Sequence, residues 1–153
     1  MIAGRLAEVR SRIERAAARA GRDPSGIRIV EVTKGHPLET ARAAAEAGLT
    51  DLGENRVLEA ATKMDEWADS PVRWHLLGHL QRNKVKHAIG RFALIHSLDS
   101  VRLADALEEA AAERGLVQEV LVEVNGGGEE QKTGCPRAAA PARGEHASRR
   151  APR

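Results

Sequence analysis

The chain has 153 residues, 42% hydrophobic and 30% charged, which fits one globular domain with a sizeable core. No apolar run approaches the ~18 residues of a membrane span, the N-terminus has no apolar leader core, and the single cysteine, Cys135, rules out an internal disulfide. A cytoplasmic protein without a membrane partner is therefore expected. The net charge of +2 divides unevenly: residues 135–153 carry five arginines and one acid, net +4, which leaves −2 for residues 1–134. Charge thus gives the body of the chain no reason to bind nucleic acid.

Ile2, Leu6, Val9, Ile13 and Ala17 recur at helical steps and predict an amphipathic leading helix, stopped by Gly21. The turn cluster DPSG at residues 23–26 follows. Residues 27–33, rich in Ile and Val, then predict a first strand. Pro37 opens a helix running to Ala47, and Gly48 stops it. A strand at 49–52, a helix at 54–68 and a third strand at 72–77 come next. A short helix at 81–89, a strand at 92–96, a helix from Asp99 to Arg114 and a fifth strand at 118–124 complete the series. A leading helix and five strands separated by helices predict an α/β fold with a parallel sheet. No GxGxxG follows the first strand, so the dinucleotide-binding version lacks support. The chemically distinctive residues instead fall at strand ends, where a TIM-type barrel places its site. A full barrel needs eight strands and ~250 residues, so the expectation is an incomplete barrel over residues 1–134. Residues 135–153 are expected to be a disordered Ala/Arg/Pro-rich tail, whose abrupt onset looks like truncation or a frame change.

Lys34 closes the first strand, in EVTKGHP. A lysine at the mouth of a sheet can form a Schiff base with an aldehyde if desolvation favours its neutral amine; the alternative is a solvated loop lysine. Asn55, in GENR at the second strand's exit, can donate and accept hydrogen bonds, or else cap the next helix. Glu54 reads as acidic capping of that helix. His75 lies on the third strand and His79 just beyond it. Their spacing suits metal ligation only on a helix, and no third ligand is evident, so no metal is expected. Arg82, Lys84, Lys86, His87 and Arg91 form a basic run without interleaved aromatics, which fits a solvated helix face better than a nucleic-acid patch. Ser97 ends the fourth strand, with Asp99 expected to cap the following helix. NGGGEEQKTG at 125–134 makes a glycine-rich loop whose one cation is Lys132.

Taken in order, Val32-Thr33-Lys34 with Pro37, Gly53-Glu54-Asn55, Trp74-His75 through Gly78-His79-Leu80-Gln81 with Asn83-Lys84, Ile95-His96-Ser97 with Asp99, and Val124-Asn125 with Lys132 and Gly134 resemble the pyridoxal 5′-phosphate (PLP) homeostasis protein family. The resemblance covers residues 1–134. It implies a single-domain PLP-binding barrel like the N-terminal domain of alanine racemase. It also implies no catalytic residue and no reaction of its own, but reversible PLP binding that buffers the cofactor or delivers it to PLP-dependent apoenzymes. By the same resemblance Lys34 would bind the cofactor aldehyde and Asn55 would lie by the ring, with His75, Lys132 and Ser97 as lesser neighbours of the pocket. Three departures stand out. His36 replaces the family's second lysine, the tail after Gly134 does not match, and the later phosphate-holding segments are absent, which should weaken PLP binding and leave strand edges open.

Two other classes compete. A PLP- or Schiff-base-dependent enzyme such as a racemase would draw a tyrosine from a further domain, and this chain has no tyrosine. A nucleic-acid binder using the basic run and tail would lose affinity steeply with salt.

Overall fold

A computed structural model describes residues 2–127 and 133–136. The chain divides into two compact units, Met1–Gly53 with Pro71–Arg73 and Glu54–Ser70 with Trp74–Arg153. Among the described residues no helix is long and apolar enough to cross a membrane.

In the first unit, helix α1 spans Ile2–Arg19 and buries Leu6 and Ala17. Val9, expected on the same face, is 43% exposed, so the buried stripe is narrower than the sequence periodicity. Strand β1 is only Glu31–Val32, against an expected 27–33. The cause is its partner. β2 (Asp51–Glu54) pairs parallel with Glu31 opposite Leu52 and Val32 opposite Gly53. That register sets Ile27 and Arg28 against Gly48 and Leu49, where the chain is still turning out of helix α2 (Leu38–Glu46) with Gly48 at φ 88°. Pro37 stands at the N-cap of α2 rather than inside it. Asp51, 3% exposed, accepts hydrogen bonds from Arg73 Nε (3.0 Å) and Nη2 (2.7 Å) and from the Thr50 hydroxyl (2.7 Å), and Arg28 Nε approaches to 3.8 Å. These contacts satisfy a carboxylate that would be costly to bury alone.

In the second unit, helix α3 (Val57–Glu66) follows β2 with Arg56 as its N-cap. Strand β3 (Arg73–Leu76) pairs parallel with β4 (Leu94–Leu98), and β4 with β5 (Val120–Val122). The expected helix at 81–89 is a 3-10 turn, Arg82–Lys84, running into one turn of α-helix, α4 (Val85–Ala88). Helix α5 (Val101–Glu113) is capped by Ser100, whose hydroxyl accepts from Leu103 N, and not by Asp99. The core is built from Leu76, Leu80, Ile89, Ile95 and Leu103, each at most 1% exposed. Trp67 and Trp74 pack edge-to-face, with centroids 6.4 Å apart. Beyond β5, Val124–Asn125 (β6) pairs with Cys135–Pro136 (β7), so the first two residues of the expected tail form a strand. Cys135 is fully buried, and its amide donates to Glu123 O at 2.8 Å. Residues 137–153 lie outside the described residues.

Candidate functional site

Each expected site residue that is described sits on a strand or at its carboxyl end, but their surroundings differ. Lys34, in the first unit, occupies a tight turn. Thr33 extends the β1 ladder by donating from N to Gly53 O (2.9 Å), and His36 N returns to Thr33 O at 3.1 Å. Gly35 takes φ 70°, which the third position of such a turn requires and which side chains resist. Nothing lies within 4 Å of where a Cβ at Gly35 would be. The turn therefore presents Lys34 exposed beside open space, and the desolvation that the sequence reading invoked for it is not supplied by this unit.

The other three described candidates belong to the second unit. Asn55 is half-buried, and it is not the cap of α3, which is Arg56. Its backbone is held by close contact with Gly78: a Cβ at that glycine would lie 2.1 Å from Asn55 O. Beside this contact Leu77 N donates to Glu54 O at 2.8 Å, so the ends of β2 and β3 are locked together here. Glu54, read from sequence as an acidic cap, is instead a fully buried strand residue that accepts from Lys63 Nζ at 2.6 Å.

His75 is 1% exposed, and its Nδ1 lies 2.9 Å from His96 Nε2. The rings are 5.2 Å apart and tilted by 50°. One of the two facing nitrogens must carry the shared hydrogen while the other accepts it. Burial, and then the charge of His75, hold His96 below the usual histidine range. His79 faces a different partner, with Nδ1 3.2 Å from Asp99 Oδ2. His75 and His79 thus do not converge, and no group of three metal-ligating side chains occurs among the described residues.

Ser97 is 1% exposed, and its hydroxyl has no hydrogen-bond partner among the described residues. It sits in an irregular stretch of β4, since Ile95 pairs with Val120 but Leu98 with Val122, one residue more on β4 than on β5. Such bulges re-aim side chains beside functional sites. Lys132 lies outside the described residues. The sequence reading overlooked His96 as a site residue, although it follows the family's pattern one position before Ser97.

A family model described as the N-terminal domain of alanine racemase matches residues 5–151. The matched span runs past Gly134. A pyridoxal phosphate homeostasis protein of Aquifex aeolicus is 44% identical over 130 residues, which cover 85% of this chain and 57% of that protein. The protein of that name from Pseudomonas aeruginosa is 40% identical over 134 residues, 88% of this chain and 58% of that protein. The chain thus spans less than three fifths of the length of either relative. Among solved structures, PipY of Synechococcus elongatus PCC7942 with PLP bound is similar at TM-score 0.82 and 35% identity, over 99% of this chain and 66% of that one.

Proposed function

Because the chain belongs to the alanine racemase N-terminal domain family, we propose that it binds PLP through Lys34 as a non-catalytic carrier in PLP homeostasis. The observation that carries this reading is the placement of Lys34. A glycine-dependent turn sets it exposed at the carboxyl end of the first strand, with open space beside it, on a chain that resembles throughout its length a protein solved with PLP bound.

The residues present fit such a group. A primary amine is the nucleophile that an aldehyde requires. Asn55 adds an amide, half-buried and without a hydrogen-bond partner among the described residues, suited to a phenolic ring oxygen. The buried, unpartnered hydroxyl of Ser97 supplies a further polar group, and His75 a buried imidazole already oriented by His96. When bound, PLP supplies a reactive aldehyde. The chain's own part is to hold the amine, orient the ring and release the cofactor again. Lys132 completes the proposed set. Residues 1–134 form the binding domain in this reading, PLP-dependent apoenzymes are the recipients, and the cytoplasm is the location.

The test is a PLP titration followed by visible absorbance on this chain and on Lys34→Ala. A saturable band that requires Lys34, and that borohydride fixes as added mass on that residue, is the expected result. A folded chain without such a band would refute the assignment.

A further inference from the structure

The second unit holds a cleft lined by none of Lys34, Asn55, His75 and Ser97. It measures about 390 Å3, within the ~300–1,000 Å3 of small-molecule sites. The loops leaving β3 and β4 and the first turn of α5 line it, together with Thr133 and Gly134.

The wall is rich in donors and poor in free acceptors. Arg82 opens the 3-10 turn after β3, and Arg102 is the second residue of α5. Neither guanidinium makes an ion pair with a described residue, whereas Arg56, Arg73 and Arg91 each hold a carboxylate at 2.6–2.7 Å. Asp99, the one acid among the described residues of the wall, is engaged by His79 at 3.2 Å. That contact ties the two strand exits together. The Thr133 hydroxyl donates to Glu123 at 2.8 Å. The positive end of the 13-residue helix α5 adds to the same field.

We propose that this cleft binds a small phosphate-bearing anion, gripped by the guanidinium groups of Arg82 and Arg102, with the His79–Asp99 pair as the brace between its walls. Guanidinium forks match phosphate oxygens in geometry as well as in charge. Two of them with no ion-pair partner among the described residues, on one cleft, form a receptor for a charge that those residues do not supply. The proposal does not rest on the aldehyde chemistry at Lys34, and each is tested alone.

The test is a calorimetric titration of the full chain with inorganic phosphate at low salt. Saturable binding is expected. Arg82→Gln and Arg102→Gln should each weaken it by about tenfold, with unchanged circular dichroism, because both residues are exposed. A control pair on α1, Arg5→Gln with Arg12→Gln, removes the same charge elsewhere and should leave the affinity as it was. Absence of saturable binding below about 10 mM phosphate would overturn the proposal. So would a double variant at Arg82 and Arg102 that binds as tightly as the parent, or a control pair that weakens binding equally. None of these readouts involves the aldehyde, so failure of PLP binding would leave the result unchanged.

Discussion

Replacing Gly78 by alanine tests whether the close junction between β2 and β3 holds the candidate site together. The added Cβ would stand 2.1 Å from Asn55 O, 2.8 Å from its carbonyl carbon and 2.9 Å from its Cα, all inside the 3.0 Å that real Cβ atoms respect. All three neighbours are backbone, so no rotamer change relieves the clash. The strands must part by nearly an ångström. The adjacent bond from Leu77 N to Glu54 O, now 2.8 Å, would then leave hydrogen-bonding range. Overpacking strain of ~1–3 kcal/mol and the lost bond at ~1 kcal/mol together predict a loss of roughly 2–4 kcal/mol. In a chain of this size each kcal/mol lowers Tm by roughly 2–4 °C. Urea unfolding followed by tryptophan fluorescence reads this directly, since Trp67 and Trp74 pack against each other in the same unit. Gly4→Ala is the companion. Its Cβ meets nothing within 4 Å, it lies in α1, and it should stabilise by ~0.5–1 kcal/mol. A Gly78→Ala chain within about 0.5 kcal/mol of the parent, the ordinary range for an exposed surface change, would refute the reasoning.

Lys63→Met leaves the fully buried Glu54 carboxylate without the cation now 2.6 Å away. It should cost about 3–5 kcal/mol in chemical denaturation, and the pair Glu54→Gln with Lys63→Met should recover most of that; a single variant as stable as the parent would remove the ion pair from the account. Ser100→Ala deletes the hydroxyl that accepts from Leu103 N and should lower thermal stability by ~1 kcal/mol, whereas no change would mean that α5 starts without it. His96 is held below its ordinary value of 6.5 in the folded chain. As pH falls through 6.5 the unfolded chain takes up that proton first, so stability is full above 6.5 and declines below it. Urea midpoints from about pH 8 to pH 5 should fall in the parent and less steeply in His96→Gln, and an equal or steeper fall in the variant would refute the assignment.

The alternation of helices and strands was legible because side-chain periodicity survives in a single sequence. The boundaries were not, because they depend on partners. Ile27 to Val30 have every local property of a strand, yet the ladder starts only at Glu31; the register that sets Glu31 against Leu52 puts the turn out of α2, with Gly48 at φ 88°, opposite Ile27. Asp99 and Ser100 are equally good caps by type. In the structure the carboxylate lies 3.2 Å from His79 Nδ1 and the Ser100 hydroxyl takes the capping role. Cys135 read as the first residue of a polar tail, but it pairs with a strand eleven residues back and is completely buried.

The same dependence explains which parts of the candidate site could be read. Lys34, Asn55 and His75 were found because each is an unusual residue at a strand end. The contacts that define their surroundings join residues far apart in sequence: His75 with His96, 21 positions on, and Asp51 with Arg73, 22 positions on. Those intervals are not arbitrary. Between β1 and β2 opposed residues lie 21 positions apart, Glu31 to Leu52, and between β3 and β4 they lie 19 apart, His75 to Leu94. His96, two residues beyond Leu94, regains the same face of the next strand. Once the period of the strand–helix repeat is known, polar residues about one period apart become candidate partners before any coordinates exist. That rule would have drawn His96 into the site and Arg73 toward Asp51. It would have missed Glu54 and Lys63, only nine residues apart, because they connect a strand to the helix after it, and that step depends on how the helix packs rather than on strand register.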